Sequence, residues 1–141
     1  MNCIFCKIVD GSAPAHIVEE NRDCMAIVPL DVEVDGHLLV LPKQHYGGIE
    51  DIPSDLLGKL LQFIQEVCLD LKLHRKFDGF NILNASGTAA QQSVPHFHIH
   101  ILPRNENDGI NAWPLLPGGR NIYAKTHGKP RSEKVKQGTA R

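Results

Sequence analysis

The clearest pattern in the chain is a strict alternation from residue 96 to residue 101. His96, His98 and His100 take one parity; Phe97, Ile99 and Ile101 take the other. Successive side chains of a β-strand point to opposite faces, so this stretch predicts a strand with an apolar face for a core and a face of three imidazoles. Residues 37–42 are almost continuously apolar and of strand length, the pattern of a central strand covered on both sides. Residues 16–20 and 24–28 flank the turn-forming trio Asn21, Arg22 and Asp23 and predict a hairpin. Residues 80–85 predict another strand. Leu57, Leu60, Leu61, Ile64, Val67, Cys68 and Leu71 recur at spacings of three and four. They predict an amphipathic helix of about five turns, with Ser54 as its N-cap and Cys68 as a small apolar member of its buried stripe. Residues 3–9 read as a Cys-x-x-Cys knuckle, and the segment 113–119 is too rich in proline for a helix. The elements add up to one α+β domain: an antiparallel sheet of about five strands packed on one long helix.

Composition narrows the classes. The chain has 141 residues, with 42% hydrophobic and 22% charged positions and a net charge of -1, which points to neither nucleic acid nor membrane. Residues 121–141 carry six Lys or Arg and one acid, so the charge is uneven. A domain over 1–120 and a basic, disordered tail over 121–141 are expected. No apolar run approaches the ~20 residues of a membrane span. The first residues lack a basic region followed by an apolar one, so a cytoplasmic location is the default expectation. There the 4 cysteines are reduced, and Cys3 and Cys6 form a metal or redox motif rather than part of a disulfide framework.

Three imidazoles on one strand face have no use in ordinary packing. Imidazole titrates near neutrality, binds metals and can act as a nucleophile. The run His96-Phe97-His98-Ile99-His100, preceded by Gln92-Ser93-Val94, resembles the signature of the histidine-triad (HIT) family of nucleotide hydrolases and transferases. Gly36, His37, the apolar run to Pro42 and His45 are similar to that family's central strand, and the resemblance covers residues 3–104. Leu102-Pro103-Arg104 resembles the branch that hydrolyses dinucleoside polyphosphates; Cys3, Cys6 and His45 resemble zinc-binding variants.

The resemblance implies a homodimer whose two halves form a continuous sheet, acting on a nucleotide substrate. It implies His98 as the nucleophile that attacks the α-phosphorus to give a nucleotidyl-histidine, which water then cleaves. It makes His100 a phosphate ligand that helps hold the His98 tautomer, and Ser93 a donor toward the leaving group. Gln91, Gln92 and Val94 would line the phosphate. Asn84 would supply a polar contact, although its spacing to His96 is one residue longer than in the compared branches. Cys3, Cys6, His45 and His96 would bind a structural zinc ion, and Ile4, Phe5, Ile8 and Ile27 would form an apolar base pocket. Pro29 stands where the family places a ribose-binding acid or Asn, so Asp31 is the candidate replacement. The leaving group stays open between a dinucleoside polyphosphate and a nucleoside phosphoramidate.

Two other readings compete. In a metallohydrolase, His96, His98 and His100 would hold a catalytic zinc, but three ligands on one flat strand face converge poorly on one ion. In a nucleotide-binding or interaction module the chemistry would be weak or vestigial; Pro29 and the basic tail motivate that reading.

Overall fold

Residues 24–27 and 38–42 are buried at every position, as continuous apolar runs in a doubly covered sheet require. They form strands β2 (Cys24–Ile27) and β3 (Leu38–Pro42) of a five-stranded antiparallel sheet in the computed structural model, which describes residues 2–123. Strand β1 (Ile17–Glu20) pairs with β2 across a turn in which Asn21 Oδ1 accepts the amide hydrogens of Asp23 and Cys24. The order is β1-β2-β3-β5-β4, where β4 is Gly79–Leu83 and β5 is Ile99–Arg104. The last strand in sequence therefore lies between β3 and β4.

Period-two alternation divides the core. Cys24, Ala26, Leu38, Val40, Phe97, Ile99 and Ile101 face helix α2 (Ser54–Arg75) and pack on its Leu60, Phe63, Ile64 and Val67. Met25, Ile27, Leu39 and Leu41 face the other way and pack with Cys3, Phe5 and Ile8.

Several elements depart from the expectations in detail. The 3–9 knuckle contains a short helix, α1 (Ile4–Val9), whose N-terminal amide at Cys6 donates to Cys3 Sγ at 3.5 Å. Six residues are too few to display a helical period, which is why the pattern gave no helix there. The long helix is N-capped by Pro53, not Ser54: the Pro53 carbonyl accepts from Leu57 and no side chain caps the first turn. At 22 residues it runs about six turns. Its buried arc is i, i+3, i+4, i+7 from Leu60, which includes Phe63; Leu61 sits about 100° away and is exposed.

The histidine strand also starts later than expected. His96 and His98 precede β5, because the backbone of Phe97 donates to Tyr46 O rather than to a strand ladder. The alternation nevertheless holds, with Phe97, Ile99 and Ile101 in the core. Just before β3, Gly36 turns the chain at φ +80°, where a Cβ would meet the Phe77 ring and Pro103 at 3.1 Å each.

The chain divides into two compact units, Met1–Ile110 and Asn111–Arg141. In the second, residues 111–123 form no helix or strand; Asn111 and Asn121 side chains accept the amides of Trp113 and Tyr123. The tail expected to be disordered lies, from residue 124 on, outside the described residues. Among the described residues no helix is long and apolar enough to cross a membrane.

Candidate active site and metal cluster

Two neighbouring centres lie where the segment leading into β5 meets α1 and the end of β3. In the first, Cys3, Cys6, His45 and His96 bring their ligand atoms within 4.8 Å of one another. Cys3 Sγ and Cys6 Sγ lie 3.5 and 3.7 Å from His96 Nδ1; Cys6 Sγ is 3.4 Å from His45 Nδ1, and the two Nδ1 atoms are 3.1 Å apart. Around a zinc ion with Zn–S of about 2.3 Å and Zn–N of about 2.0–2.1 Å, tetrahedral ligand atoms are about 3.3–3.8 Å apart. Four of the six edges match that tetrahedron to within a few tenths of an ångström, and all the ligand atoms lie within 4.8 Å of one another.

The donor chemistry fits as well. His96 Nε2 lies 2.8 Å from Pro42 O. A carbonyl can only accept, so the proton is on Nε2 and the Nδ1 lone pair faces the cluster, the outer-sphere support that metal-bound histidines usually have. Burial and the adjoining Cys3 push the Cys6 thiol up. A divalent cation is what would let such a pair ionise.

The second centre is the remaining histidine face, and hydrogen bonding fixes every tautomer in it. His98 is 4% exposed, and burial pushes its imidazole below the usual histidine range, so the ring is neutral at pH 7. Its Nδ1 lies 2.8 Å from His96 O and must therefore donate. That leaves a lone pair on Nε2. The resemblance gives His100 a share in holding this tautomer; the hydrogen bond itself comes from the main chain of His96, with the His100 ring centroid 5.2 Å from that of His98.

His100 has a different partner. Glu33 N donates to His37 Nδ1 at 3.2 Å, and His37 Nε2 lies 3.0 Å from His100 Nδ1. An amide can only donate, so His37 Nδ1 is the acceptor and its proton is on Nε2. Nε2–H then donates to His100 Nδ1, and the His100 proton lies on Nε2. Burial, then His98 and His37, push His100 down to about 4, and burial lowers His37 too, so both rings are neutral at pH 7. His37 was read from sequence only as the start of an apolar strand. The signal that identifies it is parity with Leu39, which pairs with His100 across the sheet.

The approach loop is organised from within. The Gln92 amide accepts from Gly87 N and donates to Gly47 O and Val94 O, so its polar atoms are committed to the loop. Gln91 is exposed at φ 67° and closes a 3-10 turn over Thr88–Ala90. Ser93 is exposed, and among the described residues neither its hydroxyl nor the amides of Ser93 and Val94 have a hydrogen-bond partner. Asn84 donates to His98 O at 2.9 Å and accepts from Ser86, which anchors the main chain of the histidine segment.

The apolar candidates separate. Phe5, Ile8 and Ile27 share one buried cluster on which Val94 packs, whereas Ile4 is 46% exposed and lies outside it. Phe5 packs edge-on against both His96 and His98. Asp31 is exposed and without a hydrogen-bond partner among the described residues. Arg104 is fully engaged: its guanidinium grips Asp108 through two bonds of 2.8 Å and also donates to Asn81 and to Ile110 O. It holds the Asp108 carboxyl well below the usual carboxylate range. A cleft of about 480 Å³ opens beside this clasp, but no histidine lines it.

Fold and site together define a class: a small α+β protein with a buried neutral histidine centre beside a Cys/His cluster that could hold a metal ion. The HIT domain family model matches residues 10–107, so the chain belongs to the HIT family. It is 42% identical over 109 residues to a HIT-like protein of Methanocaldococcus jannaschii, covering 76% of this chain and 82% of that protein. It is 30% identical to an adenosine 5'-monophosphoramidase of Candida albicans, covering 96% of this chain and 93% of that protein. Among solved structures, a zinc-bound histidine triad family protein from Mycobacterium smegmatis superimposes with a TM-score of 0.74 at 34% identity, covering 79% and 81% of the two chains.

Proposed function

We propose that this chain hydrolyses nucleotide conjugates at the α-phosphate through a nucleotidyl-histidine, with a structural zinc ion held by Cys3, Cys6, His45 and His96. The observation that carries this reading is the His98 Nδ1–His96 O bond, which leaves Nε2 as a free nucleophile on a neutral ring. Its lone pair forms a bond to the α-phosphorus as the bond to the leaving group breaks. The Nε2–H of His100 and the amides of Ser93 and Val94 donate to the phosphate oxygens. The Ser93 hydroxyl donates a hydrogen bond to the departing atom, which takes a proton from solvent water and leaves with the electron pair of the broken bond. Water then cleaves the P–N bond, returning neutral His98 and releasing a nucleoside monophosphate. Zinc supplies no step; bound, it would fasten α1 to the segment that carries His98.

As substrate, a nucleoside phosphoramidate, which expels an amine, is favoured over a dinucleoside polyphosphate, which expels a nucleotide. The likeness to the Candida albicans phosphoramidase spans nearly the whole chain. Arg104, the residue that pointed to the polyphosphate branch, has its guanidinium committed to Asp108, Asn81 and Ile110. A second copy of the chain would cover the free edge of β4, where Ile82 and Leu83 are 43% and 40% exposed, and the α2 face bearing Leu61, Leu69 and Leu73.

The test is to trap the intermediate. Rapid mixing with adenosine 5'-monophosphoramidate and with a diadenosine polyphosphate should give an acid-labile adduct, one nucleoside monophosphate in mass, on the peptide holding His98. His98→Asn should still bind nucleotide while turnover falls by about 10⁴-fold or more. Near-wild-type turnover by His98→Asn would refute the covalent reading and leave a nucleotide-binding module, which the lack of a side-chain donor at Pro29 favours.

A further inference from the structure

We infer that Phe5 is a positioning residue that couples the Cys/His cluster to the imidazole of His98. The inference rests on the reading of His98 as nucleophile and of the cluster as a metal site.

Phe5 lies between two cluster residues, Cys3 and Cys6, and its ring is 5% exposed. Its centroid is 5.6 Å from that of His96, with the planes at 84°, and 5.2 Å from that of His98, at 80°. These are the edge-to-face arrangements that aromatic rings prefer. One side chain thus touches a cluster ligand and the nucleophile at once.

The contact matters because of what else holds His98. Its Nδ1–H bond to His96 O fixes the tautomer and one point of the ring. That bond still allows small rotations about the side-chain torsions, bounded on one side by the His100 ring, whose centroid is 5.2 Å away with the planes at 59°; such rotations move Nε2, the atom that must face phosphorus in line. The perpendicular Phe5 ring bounds the His98 ring from the side of the cluster. The bond and the Phe5 ring both lead back to the cluster, one through the main chain of a ligand and the other through a side chain between two ligands.

Helix α1 has little intrinsic hold on its position. Its 6 residues are far below the length at which an isolated helix persists. Fastening Cys3 and Cys6 fixes both sides of Phe5, which otherwise packs with Ile8, Met25, Ile27, Leu39 and Leu41 and against the two histidine rings. A buried Phe in that cluster would ordinarily be read as filling space. Contact with the nucleophile gives it a measurable consequence that space-filling lacks.

The experiment compares zinc-loaded wild type with zinc-loaded Phe5→Leu, which stays apolar but loses the ring. In Phe5→Leu, kcat should fall about 10–100-fold, as for a small misalignment of reacting atoms, and by more than any rise in KM from the altered apolar pocket. NMR signals of the His98 ring should lose their ring-current shift and broaden. Zinc chloride titrated into chelated protein should restore the His98 signals of the wild type and change those of Phe5→Leu much less. Wild-type kcat and His98 signals in Phe5→Leu would overturn the inference, as would an equal response of the two proteins to zinc. Should the chelated chain unfold, the zinc-loaded comparison decides alone. Should no nucleotide be turned over by wild type, the functional reading fails, while the His98 signals still decide the coupling.

Discussion

Replacing His37 tests whether the histidine face works as a chain of fixed tautomers. His37→Leu removes the group that accepts from Glu33 N and donates to His100 Nδ1. Two partly buried polar groups lose their partner, which should destabilise the fold by about 1–3 kcal/mol. The larger effect should be catalytic. His100 is no longer obliged to carry its proton on Nε2, so the phosphate loses a dependable donor, a loss comparable to one oxyanion-hole hydrogen bond. Turnover should fall about 10²–10³-fold. His37→Gln should recover most of it, because an amide oxygen can accept from Glu33 and an amide nitrogen can donate to His100. The pH profile separates this from general damage. His37 is one cause of the depression of His100 to about 4, so the variant's His100 should protonate at higher pH. A protonated ring carries hydrogen on both nitrogens, so the deficit of His37→Leu relative to wild type should shrink as pH falls from 7 toward 5. Steady-state turnover of a phosphoramidate across that range is the assay. A folded His37→Leu within twofold of wild type, or a deficit independent of pH, would refute the tautomer argument.

Four further outcomes are expected. Ser93→Ala should lower turnover about 10–1000-fold with His98 intact, since it removes one donor at the leaving group; unchanged kinetics would assign the hydroxyl to solvent. Protein prepared without a metal-affinity step should hold one zinc per chain by elemental analysis, and chelation should lower the melting temperature by roughly 10 °C or more, given about 4 kcal/mol from a ligand at 1,000 times its dissociation constant. His37 and His100 are both depressed below 6.5 in the fold, so the unfolded chain binds more protons below that pH. Stability should therefore be full above pH 6.5 and fall as pH drops toward 4, which urea titrations would measure. Gly36→Ala should lose about 1–3 kcal/mol, because it places a Cβ at 3.1 Å from Phe77 and Pro103 on a φ of +80°; an unchanged denaturation midpoint would contradict the packing.

The parts legible in the sequence were those written in short periods. Alternation at residues 96–101 placed Phe97, Ile99 and Ile101 in the core, and the apolar run before Pro42 gave the central strand. Long-range register was not legible. His37 meets His100 only because Leu39 pairs with it, and no local pattern encodes that pairing. Side-chain commitments were hidden as well: no local pattern shows that the Gln92 amide bonds Gly87 and Gly47 or that Arg104 clasps Asn81 and Asp108. Helix α1 was too short to announce itself, and Phe63 fell between the leucines that drew attention to the stripe.

The place of β5 also orders events in time. Among the described residues it is the final strand to leave the ribosome, yet it fills the slot between β3 and β4. Strand β4 pairs only with β5, so it has no ladder until residues 99–104 have emerged. His96 follows His45 by 51 residues, an interval of roughly 3–10 s at a synthesis rate of about 5–20 residues per second. Through that interval the nascent chain holds three of the four cluster ligands and neither His98 nor His100. Closing the sheet, completing the cluster and assembling the histidine centre are thus a single late step, and a chain released before it lacks all three.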